Sequence, residues 1–181
     1  MGKILKQVNL WAPILIALFA LVFSINEGRQ TRLHNELSVK PYLAVSSFAN
    51  TEQAGYALIS SGLGPAVIKW AEVRIDDKPY SNWADAESAL NFPESVGAKG
   101  TFSNPWPGLQ FPPNGQSLLY AVRSPNNIKY LSENVGRVQI NICYCSIYGE
   151  IDSSQCWETS TNLKNIHTRC SKEPKVVFLR P

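Results

Sequence analysis

Residues 137–148 read RVQINICYCSIY, and this stretch decides the fold. Val138, Ile140, Ile142 and Tyr144 alternate with Gln139, Asn141, Cys143, Cys145 and Ile147, the two-residue period of a strand with one face on a core. Cys143 and Cys145 flank Tyr144, so both point to the face opposite it. They are badly placed to bond each other, because Cα atoms two apart on a strand sit near the upper limit of disulfide geometry. Each needs a distant partner, and the chain's other two cysteines are Cys156 and Cys170. A four-residue hairpin loop over residues 149–152 sets Tyr148 opposite Ser153 and Cys145 opposite Cys156. The same register sets Tyr144 opposite Trp157, a favourable aromatic pair across strands. These two coincidences give the pairing Cys145–Cys156 and Cys143–Cys170. Two alternatives stay open, a zinc site that adds His167 and a set of free buried thiols. The C-x-C spacing is not that of common zinc sites, and the absence of C-x-x-C argues against a thioredoxin-like redox enzyme.

Further strands lie upstream. Residues 37–45 (LSVKPYLAV) read as a first strand, with Pro41 placing it at an edge or at a bulge. Residues 54–60 (AGYALIS) read as a second. Residues 66–76 (AVIKWAEVRID) alternate Val67, Lys69, Ala71, Val73 and Ile75 against Ile68, Trp70, Glu72 and Arg74, and Asp77, Lys78 and Pro79 close that strand with turn residues. Residues 82–90 form a helix with acidic residues near its start, where the helix dipole favours them. Residues 91–115 are an irregular loop, 117–122 (SLLYAV) a buried-type strand, and 124–127 a turn or short helical excursion. Residues 156–159 and 176–179 complete the strand set. Short strands separated by turns predict a mainly β, immunoglobulin-like sandwich with one or two short helices over residues 37–181.

The amino terminus is of another kind. Residues 8–25 (VNLWAPILIALFALVFSI) form an eighteen-residue run without charge. At the helical rise it spans about 27 Å, just enough for a thin hydrocarbon core. Trp11 is placed for the headgroup level. The expected layout is a cytoplasmic tail over 1–7, a single-pass anchor in lipid over 8–25, a helical stalk over 26–36 and the sandwich beyond. The alternatives are a cleaved signal peptide, with Val22 and Ser24 at the −3 and −1 positions, and a buried core helix. Lys3 and Lys6 precede the run while Arg29, Arg32 and Lys40 follow it, so charge alone does not orient it. Disulfides would, because they persist outside the cytoplasm.

Charge is sparse, with 17 Lys and Arg against 14 Asp and Glu, and no basic run forms a nucleic-acid footprint. GLGPA (62–66) could pass for a phosphate loop, but a strand follows it instead of a helix, so it reads as a strand-to-strand turn. His34 and His167 are isolated. Asp76 and Asp77 read as a turn, and Asp85 and Glu87 as a solvated helix face. No G-x-S-x-G, H-E-x-x-H or Walker pattern is present, and no catalytic, metal or cofactor residue is assigned. The loop TFSNPWPGLQFPPNG (101–115) is stiffened by Pro105, Pro107, Pro112 and Pro113. Phe102, Trp106 and Phe111 make it a candidate partner-binding surface, since a rigid aromatic loop loses little entropy on docking. The alternative is that these rings cap the core.

With the amino-terminal run, the GLGPA turn and a CYCS strand followed by Cys156–Trp157, the chain resembles uncharacterised bacterial membrane-anchored β-domain proteins. The resemblance implies no activity. It implies a bacterial envelope setting, within which the anchor and the disulfides predict an inner-membrane protein with the sandwich in the periplasm. The function expected is a protein-interaction or structural module whose partner is another envelope protein. The rival expectation is an envelope hydrolase or a zinc-dependent enzyme.

Overall fold

A computed structural model describes residues 2–93, 100–147, 155–161 and 168–178, without the side chains of residues 2–12, 36 and 37. The chain forms two compact units, Met1–Ser38 and Val39–Pro181. The first is a single helix, α1 (Gly2–Ser38), whose described apolar side chains, among them Ile14, Leu15, Phe19 and Phe23, are exposed. Among the described residues no helix is long and apolar enough to cross a membrane. Described side chains of α1 begin at Pro13, so residues 8–12 of the apolar run stand outside that statement.

The second unit is mainly β. Its strands are β1 (Leu43–Ala49), β2 (Ala54–Ser60), β3 (Ala66–Ile75), β4 (Lys78–Tyr80), β5 (Thr101–Phe102), β6 (Gln110–Phe111), β7 (Gln116–Val122), β8 (Val138–Ser146), β9 (Cys156–Ser160) and β10 (Thr168–Arg169). They build one sheet in the order β1-β2-β7-β5 and a second in the order β10-β9-β8-β3-β4, with β6 also on β3. Every pairing is antiparallel. One apolar core joins both sheets, with Leu58, Leu119 and Tyr120 from the first and Ile68, Val73, Ile140 and Ile142 from the second.

Strand β8 follows its alternation. Val138, Ile140, Ile142 and Tyr144 all enter the core, each at most 2 % exposed. Strand β3 corrects its expected faces. A bulge falls between Ile68 and Trp70. An extra residue reverses the alternation. Ala66 and Ile68 face the core before it and Ala71, Val73 and Ile75 after it, so Val67 and Lys69 do not share their face.

On the other edge of β3, between β6 and β4, two further segments bond to the strand. Ile68 donates its N–H to the carbonyl of Leu109 at 3.0 Å, and Gly108 donates to Ile68 at 2.8 Å. Gly108 sits at φ +87°, where glycine is at no disadvantage. Phe178 donates to the carbonyl of Ala71 at 2.8 Å and is fully buried. The apolar pattern at 176–179 therefore does not make a strand within the described residues. It delivers a core ring, edge-on to Trp83 at 5.0 Å.

Other expectations shift locally. The helix runs through Ser38 and β1 begins only at Leu43, so 37–45 is not one strand. The irregular loop 91–115 carries β5 and β6. Residues 124–127 open a nine-residue helix, α3 (Pro125–Glu133), with Pro at its first turn, where a missing N–H costs nothing. Helix α2 (Trp83–Leu90) forms as read, capped by the Asn82 side chain, which accepts from the Asp85 N–H at 2.9 Å. It buries Trp83, Ala86 and Leu90, the positions three and four apart that share a face.

At one end of the sandwich Asp76 and Asp77 form the two-residue turn between β3 and β4, at φ 50° and 64°. Positive φ at both positions is what a type I′ hairpin demands, and aspartate tolerates it. Asp76 also takes a forked ion pair from Arg137, at 2.9 Å from Nε and 2.6 Å from Nη2. The guanidinium holds the Asp76 carboxyl below the ordinary carboxylate range. Arg137 reaches on to the Tyr130 hydroxyl at 2.7 Å, which donates to the Leu90 carbonyl at 2.7 Å. One guanidinium thus joins a hairpin and the ends of both short helices.

At the other end Gly62 and Gly64 lie in the turn from β2 to β3. A Cβ on Gly64 would collide with the Val39 carbonyl, and one on Gly62 with the Pro41–Tyr42 backbone. Close approach, not phosphate, is what these glycines serve. Gly64→Ala should lower stability by more than about 2 kcal/mol in denaturant unfolding. A change inside about 0.5 kcal/mol would show that Val39 is not packed against this turn.

Candidate functional site

The four cysteines are all paired. Cys145 bonds Cys156 and Cys143 bonds Cys170, with Cα separations of 4.0 and 5.5 Å. In the β8–β9 ladder Cys145 stands opposite Cys156 and Tyr144 opposite Trp157, the register read from the sequence. The rings of Tyr144 and Trp157 lie 6.2 Å apart. The hairpin loop 149–152, Tyr148, Ser153 and His167 lie outside the described residues. The sulfurs are engaged in bonds with each other, so they do not serve as thiolate ligands. Among the described residues no group of three His, Cys, Asp or Glu side chains could hold a metal ion.

Both disulfides lie on the face of the second sheet that turns away from the core. Two buried carboxylates share that face, and each is held. Glu72 accepts from Arg74 Nε at 3.1 Å and from Asn141 Nδ2 at 3.3 Å. Glu158 accepts from the Ser171 N–H at 3.0 Å. Cys170, Ser171 and Phe178 thus tie the segment that follows β10 to β8, β9 and β3 in turn. On α2 the half-buried Glu87 accepts through Oε1 from the Gly100 N–H at 3.0 Å and from the Tyr120 hydroxyl at 3.2 Å. These carboxylates brace backbone and neighbouring side chains, the work of structural groups.

The loop 101–115 separates the three rings that the sequence grouped. Phe111 is 5 % exposed and packs in the core, which corrects its assignment as a partner-binding residue. Its place follows from β6, which pairs Phe111 with Ala66, a core-facing residue of β3. Phe102 and Trp106 stay at the surface, 49 % and 40 % exposed. Their backbone is fixed. Phe102 pairs with Tyr120 through β5, and the Trp106 carbonyl accepts from Leu109 at 3.1 Å, one step from the bonds to Ile68.

Beneath Trp106 lies a cavity of about 280 Å³, lined in part by Leu58, Asn104, Trp106, Phe111 and Leu119. Asn104 is a residue that sequence reasoning passed over. Its Oδ1 is buried and accepts no hydrogen bond. The only signal was its position, between aromatic residues and before a proline in a loop already marked as rigid. Ser103 on its flank is committed, bonded to the Leu118 carbonyl and 3.0 Å from the Ser117 hydroxyl. The chain matches no family model, no curated protein and no solved structure.

Non-reducing peptide mapping should recover Cys145–Cys156 and Cys143–Cys170 and no other pairing. Replacing Cys145 and Cys156 together by Ser should cost roughly 2–3 kcal/mol, the chain-entropy value for a short closed loop. Recovery of the crossed pairing would overturn the β8–β9 register.

Proposed function

We propose that this chain is a membrane-anchored binding module, with an immunoglobulin-like sandwich held in the periplasm of a bacterial envelope by residues 8–25. The observation that carries the reading is the pair of exposed rings, Phe102 and Trp106, on a loop whose backbone is strapped to β3 and β7. Exposed aromatics on a rigid backbone are what concentrates binding energy at an interface, because docking orders little that was mobile. The partner proposed is another envelope protein.

The strand order supports the fold name. With β1, β2, β5 and β7 as strands A, B, D and E, and β3, β4, β8 and β9 as C, C′, F and G, the sheets run A-B-E-D and G-F-C-C′. That is the immunoglobulin arrangement. The disulfides depart from it, since they tie F to G and to the segment beyond instead of bridging the sheets. Two disulfides favour an oxidising compartment. The uncharged run of residues 8–25 favours an anchor, and the disulfides favour leaving its tail in the cytoplasm. An enzymatic reading has less support, since the carboxylates described above are engaged in bracing contacts.

A reporter that works only after export, fused after Pro181, should be active. Activity of a cytoplasm-dependent reporter alone would overturn the orientation. For the binding surface, Trp106→Ala and Phe102→Ala should each remove the envelope partner that copurifies with the detergent-extracted full chain, with little change in thermal midpoint. Phe111→Ala should instead cost roughly 3–5 kcal/mol of stability. Retention of the partner by both surface variants would sink the reading.

A further inference from the structure

The four strands that end the two sheets are not alike. Strands β5 and β10 have two residues each, and β4 has three, among them Lys78 and Pro79. Short edges, lysine and proline are devices by which sheets resist further pairing. Strand β1 uses none of them. It has seven residues, LAVSSFA, with no charge and no proline, and its register with β2 runs without a shift.

The bonds at the two ends of this hairpin show which backbone groups face outward. Asn50 donates its N–H to the Gln53 carbonyl at 2.9 Å, and the Tyr42 carbonyl accepts from the Ser61 N–H at 3.0 Å. Bonded residues alternate in an antiparallel ladder, so the even-numbered residues of β1 bond β2 and the odd-numbered ones turn their N–H and C=O away. The first of these, Leu43, bonds the Tyr144 hydroxyl through its backbone. Among the described residues the N–H groups of Val45, Ser47 and Ala49 have no partner. The Ser47 carbonyl accepts from the Ser46 hydroxyl at 3.3 Å and keeps a second lone pair. Ser47 and Ala49 are exposed. Two cavities, of about 460 and 140 Å³, adjoin the strand. Val45 borders the first, Ala49 the second, and Ser47, Tyr56 and Val135 border both.

We propose that the outer edge of β1 is a strand-addition site, where an uncharged extended segment of a partner protein pairs with the backbone of Val45, Ser47 and Ala49. Their outward groups recur every second residue, roughly 6.8 Å apart, and another extended backbone is what presents donors and acceptors at that repeat. No charged side chain lines either cavity, so a charge brought in would lose its water without gaining a partner. The larger cavity has the volume of a ligand site, room for side chains of the added strand. The proposal goes beyond the loop reading, since no residue of 101–115 lines either cavity.

The test uses the detergent-extracted full chain and a capped heptapeptide of alternating threonine and valine, beside the same peptide with every amide N-methylated. Amide hydrogen exchange is followed residue by residue by NMR. Without peptide the Val45, Ser47 and Ala49 amides should exchange faster than those of Ala44, Ser46 and Phe48, which the ladder with β2 protects. The unmethylated peptide should slow the three outward amides by about tenfold or more, and the methylated one should not. Ser47→Pro removes an outward N–H at an edge, where proline is tolerated, so it should weaken peptide binding by about tenfold or more while leaving the thermal midpoint nearly unchanged. Ser47→Lys keeps that N–H but sets a charge beside both cavities, and it should weaken binding similarly. Trp106→Ala should leave peptide binding unchanged. No binding, protection only at other amides, or binding indifferent to both Ser47 variants would overturn the proposal. Self-association of the chain that Ser47→Pro abolishes would overturn the choice of partner and give the edge to a second copy. A peptide result lost while the envelope partner still depends on Trp106 and Phe102 overturns this inference alone.

Discussion

The sandwich depends on one irregularity, the bulge between Ile68 and Trp70. A regular β3 would present ten residues in strict alternation and a continuous edge to a neighbouring strand. The bulge ends both. It turns Ala71, Val73 and Ile75 onto the face that Ala66 and Ile68 occupy before it, so one strand supplies five core residues despite its changed phase. It also turns the Ala71 carbonyl to the outer edge, where Phe178 meets it, while Ile68 just before it bonds Gly108 and Leu109. The Trp106 loop takes one position and Phe178 the other. Bulges are common where a sheet must re-aim a side chain or end its pairing, and this one does both.

Much of the fold was legible because opposite faces of its strands carry different chemistry. In β8 the apolar and polar sets do not mix, and the cysteine positions fix the partner strand as well as the face. The hairpin register followed from the placing of two cysteines and two aromatics, which agree at only one loop length. The bulge in β3 left no such mark, because Ile68, Lys69 and Trp70 read as alternation as well as they read as its interruption. The residues at 176–178 imitate a strand for a similar reason. Val176, Val177 and Phe178 carry strand-type side chains, but only the open edge of β3 decides that they end as a plug.

The candidate site was legible in kind and not in detail. Four prolines and three rings announced a stiff aromatic loop. Which ring would be buried depended on main-chain bonds to β3, and those have no side-chain signature. Phe111 entered the core because β6 pairs beside Ala66. Trp106 stayed out because Gly108 and Leu109 turn back at the bulge. Asn104 was hidden further, since an unmade hydrogen bond is a property of three-dimensional surroundings alone. A loop fixed through its backbone leaves its side chains free to serve recognition, and that division of labour suits a scaffold whose ligands are chosen at its tips.

The buried tyrosines set a boundary of another kind. Tyr56, Tyr120 and Tyr144 are each at most 1 % exposed, and burial pushes all three phenols above their usual range. Two donate outward, Tyr56 to the Val135 carbonyl at 3.0 Å and Tyr120 to Glu87. A raised folded value means that the unfolded chain gives up the proton first, near pH 10. Stability from these groups is complete below that point and drains away as the pH climbs toward the folded values. The alkaline limit of this domain is therefore written in its interior, and phenolate absorbance from these three rings reports on the integrity of the core itself.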